Sequence, residues 1–92
     1  MDIAPDAIIV RTSEALATEV DGEVVLIRIE DGVYFGLDQI GTEIWRRLAA
    51  PKQVSVLFEE LREHFEGDSG RIEQETLAFL AELAENRLVL PA

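Results

Sequence analysis

The chain has 92 residues, of which 48% are hydrophobic, and it carries a net charge of −11 at neutral pH. This length suits a single domain, expected to span residues 1–92 with its core at about 7–90, and the apolar content excludes a disordered chain. The lack of cysteine excludes disulfides and thiolate metal sites, while dispersed acidic charge disfavours binding to nucleic acid or to an anionic membrane.

The first part of the chain has the pattern of short strands. After a β-prone run at residues 7–10, three segments rich in β-branched and aromatic residues are predicted as strands at 15–20, 24–29 and 33–37. The dipeptides Asp21-Gly22 and Asp31-Gly32 separate them, and both residue types tolerate a positive φ. These signals predict a three-stranded antiparallel meander.

The pattern then becomes helical. Asp38 is a predicted N-cap, and a first stripe of apolar side chains follows it at Ile40, Ile44, Trp45 and Leu48. A second stripe consists of Val54, Leu57, Phe58, Leu61 and Phe65. A third helix is predicted from about Gly70 to Asn86, with Asp68 or Ser69 as its cap. Strands followed by three helices predict an α+β fold.

The third predicted helix has an unusually wide apolar face. At 100° per residue, its apolar side chains cover an arc of about 200°, roughly twice what a surface helix needs. Either this helix is sandwiched between neighbouring elements, or part of the arc lines a groove. The sequence leaves both interpretations open.

The third predicted strand, residues 33–37, is the last of the meander and carries neither charge nor proline. It therefore lacks the usual protection of a sheet edge. By alternation, Val33, Phe35 and Leu37 share one face, and Tyr34 and Gly36 share the other. Either the N-terminal segment 1–13 covers this edge, or the edge binds an extended peptide.

Catalytic patterns are weak. The segment Gly67–Gly70 is similar to the serine loop of chymotrypsin-like proteases, but a helix stop followed by an N-cap explains it better. Glu60 and His64 are four residues apart, yet one carboxylate and one imidazole do not make a metal site. We therefore expect a protein that is not an enzyme and that has neither a metal nor a cofactor.

Two stretches carry a family resemblance that covers about residues 7–90. The segment 31–38, Asp-Gly-Val-Tyr-Phe-Gly-Leu-Asp, leads into a helix with Gly41 and Trp45. After a second amphipathic helix, the third predicted helix and the residues that follow it carry a Leu/Ala/Glu-rich pattern at 77–89. The chain thereby resembles the PqqD-like family of recognition elements for ribosomally made, post-translationally modified peptides. Within it, the chain is most similar to the stand-alone leader-binding proteins of lasso-peptide biosynthesis.

The resemblance implies a winged-helix-like domain in which three strands pack on three helices. It implies that the leader of a precursor peptide adds to the third strand, against the third helix, and is delivered to a transglutaminase-like leader peptidase. The implied binding residues are Val33, Tyr34, Phe35, Gly36, Leu37, Ile72, Glu75, Thr76, Phe79 and Leu83. The segment Lys52–Ser55 departs from the family because it lacks the usual Thr cap, so a loosely started second helix is expected.

Two other functions stay open at this point. Winged-helix domains often bind DNA, although Glu73, Glu75, Glu82 and Glu85 on the third helix would repel phosphates. A module that only recruits another protein is the second alternative. Because the acidic start Met1–Asp6 lacks the pattern of a signal peptide, we expect a complete, soluble and cytoplasmic protein.

Overall fold

The computed structural model of the protein describes residues 3–92, and six strands and three helices follow one another in this range. In chain order they are β1 (Ile8–Arg11), β2 (Ala15–Val20), β3 (Glu23–Arg28), β4 (Tyr34–Gly36), α1 (Gln39–Arg47), β5 (Lys52–Gln53), α2 (Val54–His64), α3 (Ser69–Glu85) and β6 (Val89–Pro91). Two small antiparallel sheets and three helices confirm the predicted α+β class.

The meander has the predicted order β2-β3-β4, with both pairs antiparallel. Its first turn is the expected two-residue hairpin, because Val20 pairs with Glu23 and both intervening residues have positive φ, 53° at Asp21 and 83° at Gly22. This geometry follows the right-handed twist of the flanking strands. The first Asp-Gly prediction is therefore confirmed.

The second turn is longer than the prediction of a two-residue turn at Asp31-Gly32. Arg28 N donates to Val33 O (2.9 Å), so four residues, 29–32, form the loop, and only Gly32 among them has a positive φ. Ile29, predicted in the second strand, lies in this loop and donates its N–H to Glu14 O. The loop shifts the pairing by two residues, so Phe35 lies opposite Leu26. A shift of two leaves each side chain on its predicted face.

A second sheet, with the order β5-β1-β6, was not predicted. The apolar run at 7–10 forms its central strand, paired with Lys52–Gln53 on one side and with Val89–Pro91 on the other. The idea that segment 1–13 covers the edge of the meander is therefore wrong for its described residues, 3–13. Met1 and Asp2 lie outside the described part of the chain.

The helix boundaries follow the predicted caps. Asp38 Oδ1 accepts the N–H of Gly41 at 2.8 Å, and the Asp68 carboxylate accepts those of Gly70 and Arg71. The Ser69 side chain, the other predicted cap, lies outside the described atoms. Gln53 precedes α2 without a side-chain cap, as expected. The helix nevertheless does not start loosely, because Val54 N and Ser55 N donate to Ala7 O and Pro5 O at 2.9 Å each.

Both sheets and all three helices contribute to one hydrophobic core. Its largest fully buried side chains are Ile9, Leu26, Ile44, Leu48, Val54, Leu57, Leu61, Leu80, Leu88 and Val89. Trp45, from the first predicted stripe, is 2% exposed and belongs to this core.

The C-terminus of α3 ends in a Schellman motif with an unusual residue. Leu88 N donates to Leu83 O (2.8 Å) and Arg87 N to Ala84 O (3.1 Å), while Arg87 has a φ of 60°. Glycine usually occupies this left-handed position because it has no Cβ.

We expect Arg87→Gly to raise the free energy of unfolding by about 0.5–1 kcal/mol. Urea denaturation tests this, with Arg87→Ala as the control that should gain less; equal effects of both substitutions would contradict it.

Candidate functional site

Strand β4 has an unpaired outer edge. It pairs with β3 on one side, and no other strand within residues 3–92 pairs with it. Arg28 N donates to Val33 O and Leu37 N donates to Val24 O, so Val33 and Leu37 point their backbone groups toward β3. Hydrogen-bonded and non-hydrogen-bonded residue pairs alternate along an antiparallel ladder. The backbone N–H and C=O groups of Phe35 therefore also point toward β3, whereas those of Tyr34 and Gly36 point outward. These four groups are available to a further strand.

The side chains of this strand divide between the two faces of the sheet. Leu37 is buried and Phe35 is half-buried against the hydrophobic core, as the alternation predicted, and Tyr34 on the other face is 70% exposed. Val33, predicted on the face of Phe35 and Leu37, is exposed because it lies at the end of the strand, next to the loop. The edge thus combines free backbone groups with apolar surface.

Helix α3 contains the other five residues implied by the resemblance. Glu75 and Phe79 are partly exposed, whereas Ile72, Thr76 and Leu83 are buried in the core of the free protein. Of these five residues, only Glu75 and Phe79 are therefore accessible at the surface of α3. In the free protein, the three buried residues lie in the core beneath that surface.

The ring of Phe79 packs closely on α1. A Cβ built at Gly41 would lie 3.1 Å from Phe79 Cζ, closer than ordinary van der Waals contact. A Cβ at position 41 would push this ring away by a few tenths of an ångström, so glycine lets the ring pack where it does. This contact gives a structural reason for the glycine at position 41, which is one of the residues on which the family resemblance rests.

Arg28 joins both sides of this region. Its guanidinium forms two hydrogen bonds with the Asp31 carboxylate (3.0 and 2.7 Å) and one with Asn86 O at the end of α3 (2.9 Å). It also lies 5.3 Å from the centre of the Phe35 ring. The hydrogen bond from Arg28 holds the pKa of Asp31 below its usual range.

A cavity of about 240 Å³ opens near the start of α3. Its apolar lining includes Ile40, Phe65 and Ile72, and its charged lining residues are Glu66, Asp68, Arg71 and Glu75. Arg71 Nε donates to Glu75 Oε1 at 3.0 Å, and the lining as a whole is acidic. The cavity could accept one side chain of medium size.

The patterns considered for catalysis do not assemble into a site. Glu60 accepts from Lys52 and lies near Arg47, whereas His64 Nε2 lies 3.5 Å from Glu43. Within residues 3–92, no group of three or more His, Asp or Glu residues could hold a metal ion. None of the helices in this range is both long enough and apolar enough to span a bilayer.

Thr76 and Thr42 both have a buried side-chain hydroxyl, but the two hydroxyls differ in their hydrogen bonding. Thr76 Oγ1 is buried without a hydrogen-bond partner among the described atoms, whereas Thr42 Oγ1 accepts the buried Val24 N–H at 2.9 Å. Removing an unpaired buried hydroxyl is favourable, but removing a partner leaves a buried donor unsatisfied. We expect Thr76→Val to raise the free energy of unfolding by about 1 kcal/mol, and Thr42→Val to lower it by about 1–3 kcal/mol. Urea denaturation of both variants measures the difference; a loss of stability in Thr76→Val would show that its hydroxyl is hydrogen-bonded.

Comparisons with known proteins give one family and two similar structures. The family model described as coenzyme PQQ synthesis protein D (PqqD) matches residues 23–89. A structure of TbiB1 in complex with the TbiA(beta) leader peptide is 29% identical, with 87% of this chain and 93% of that chain covered and a TM-score of 0.77. A lasso peptide synthetase B1 complexed with the leader peptide is 23% identical, with 90% and 98% covered and a TM-score of 0.76. No curated protein matches the chain.

Proposed function

We propose, since the chain belongs to the PqqD family, that it is a binding protein for the leader region of a ribosomally synthesised precursor peptide. The observation that carries the proposal is the free edge of β4, where the N–H and C=O groups of Tyr34 and Gly36 point outward next to exposed apolar surface. TbiB1, which has a similar fold and 29% identity, has a structure in complex with a leader peptide.

The leader binds by strand addition. It forms main-chain hydrogen bonds with the outer edge of β4, within the docking strand Val33–Leu37, and its alternate side chains face α3. Phe79 and Glu75 contact these side chains directly. The buried residues of the set, Ile72, Thr76 and Leu83, hold that wall in place from the core. An acid-rich chain binds best to a leader that is not strongly acidic itself.

The protein delivers the leader and does no chemistry. Its partner in this proposal is a separate transglutaminase-like leader peptidase of lasso-peptide biosynthesis, which removes the leader. The similarity to lasso peptide synthetase B1 supports the fold, and the leader complex of TbiB1 supports the class of ligand. In this proposal the precursor gene and the peptidase gene lie beside the gene for this chain.

An assay of cleavage tests this role. We expect the protein alone to leave the neighbouring gene's precursor peptide intact, and the peptidase to cleave the leader at least tenfold faster when this protein is added, because binding raises the effective concentration of substrate. Mass spectrometry follows the product over time. A precursor whose leader is scrambled outside the residues next to the cleavage site is the control, and its cleavage should not depend on this protein. A processed product made by this protein alone would contradict the proposal.

A DNA-binding regulator is the alternative with the most specific prediction. It would present basic residues to phosphates, yet α3 carries Glu73, Glu75, Glu82 and Glu85 against Arg71. A mobility shift with duplex DNA near physiological salt would favour it. If this protein bound the peptidase equally well with and without leader peptide, a module that only recruits another protein would instead be favoured.

A further inference from the structure

The side chain of Arg28 touches three parts of the proposed binding region at once. Its guanidinium binds Asp31 in the loop before β4, lies over the ring of Phe35 in β4 and donates to Asn86 O at the end of α3. Asn86 is 58 residues away in sequence. One side chain therefore links the docking strand to the helix that faces it.

Arg28 places a positive charge at the C-terminal end of α3. The last turn of α3 itself contains no basic residue, although Arg87 follows it, and the C-terminus of a helix carries partial negative charge. Arg28 supplies that positive charge from β3, by a hydrogen bond with a charged donor. Its side chain is 20% exposed, so water competes only partly for these contacts.

We propose that Arg28 is a positioning residue that fixes the distance between β4 and α3, and so sets the width of the leader-binding groove. This inference rests on the proposed function. Asp31 fixes the orientation of the guanidinium by its two hydrogen bonds, and the planar group can then reach Phe35 and Asn86 together. A lysine can keep the charge but cannot keep all three contacts, because its ammonium is a point charge.

A second ion pair on α3 provides the matched control. Arg62 Nη1 of α2 donates to Glu73 Oε1 of α3 at 2.6 Å, so it also ties this helix to another element. It does not involve β4. If Arg28 acts only by adding one ion pair to the stability of the fold, loss of Arg62 should have the same effect.

The experiment measures the groove and the binding separately. The chain has no cysteine, so Tyr34→Cys in β4 and Ala78→Cys in α3, both exposed, can be spin-labelled for distance measurement by pulsed electron resonance without leader peptide, while binding is measured on unlabelled protein. Binding of a fluorescent TbiA(beta) leader peptide, and of the leader encoded beside the gene, is followed by anisotropy. Circular dichroism identifies conditions in which every variant is folded.

In Arg28→Met, we expect a broader distance distribution than in the parent and an affinity that falls about tenfold, because a groove of variable width is less preorganised. Arg28→Lys should have a distance distribution and an affinity between those of the parent and Arg28→Met. Arg62→Met should match the parent in both measurements.

An unchanged distribution in Arg28→Met, or equal effects of Arg28→Met and Arg62→Met, would overturn the inference, and Arg28→Lys replaces Arg28→Met if the latter unfolds. A parent that binds neither leader would overturn the proposed function instead, whatever the distances show.

Discussion

Replacing Gly36 by proline should reduce leader affinity at least tenfold while the protein stays folded. Proline removes the backbone N–H, and that of Gly36 points away from β3 toward the free edge. The leader would lose its main-chain hydrogen bond to residue 36, and the leader carbonyl that accepts this bond would stay unpaired. The pyrrolidine ring would also stand in the way of the leader at the edge. Together these effects should weaken leader binding by about 1.5–3 kcal/mol. Anisotropy with the leader encoded beside the gene measures the loss.

Two variants make this result specific to the edge. Gly36→Ala retains the N–H, and its Cβ would meet no atom within 4 Å, so it should bind like the parent. Phe35→Pro removes an inward N–H that bonds to β3, so it should lower the free energy of unfolding first. If a folded Gly36→Pro binds as tightly as Gly36→Ala, strand addition at β4 is wrong, and the recruiting module becomes the better account.

Truncating Phe79 should have the largest effect among side chains of the helical wall. Its ring is partly exposed on α3 and packed on Gly41 of α1, so its position is fixed before any ligand arrives. A preformed aromatic contact in a groove is typical of binding hot spots. We expect Phe79→Ala to weaken leader binding by about 1–3 kcal/mol, measured by anisotropy.

The controls for Phe79 separate binding from folding. Glu63→Ala changes an exposed residue of α2 and should leave leader affinity unchanged. Phe79→Leu keeps apolar volume and should lose less than Phe79→Ala. Should Phe79→Ala stay folded and bind like Glu63→Ala, the wall of the groove would have to lie elsewhere.

Much of the fold could be predicted from local sequence signals. The Asp21-Gly22 turn, the Asp38 cap and the apolar spacing of α2 each depend on residues close in sequence, and the structure confirms them. The second sheet could not be predicted because β5 has two residues and β1 pairs with partners more than 40 residues away. Such short strands have no periodicity of their own.

The candidate site was predictable only as a region. The uncharged segment 33–37 marked the edge, but which N–H groups point outward depends on the pairing with β3. The four-residue loop after Arg28 set that pairing and could not be deduced from Asp31-Gly32 alone. The burial of Thr76 and the contact between Arg28 and Asn86 depend on tertiary packing, so no local pattern reports them.

Amide hydrogen exchange of β4, with and without leader peptide, tests the central claim most directly. In the free protein the amides of Tyr34 and Gly36 point outward and should exchange quickly, while that of Phe35 is already bonded within the sheet. Strand addition predicts that the leader slows exchange at Tyr34 and Gly36 by at least tenfold and changes Phe35 much less. Saturating leader that leaves the exchange of Tyr34 and Gly36 unchanged would contradict the claim.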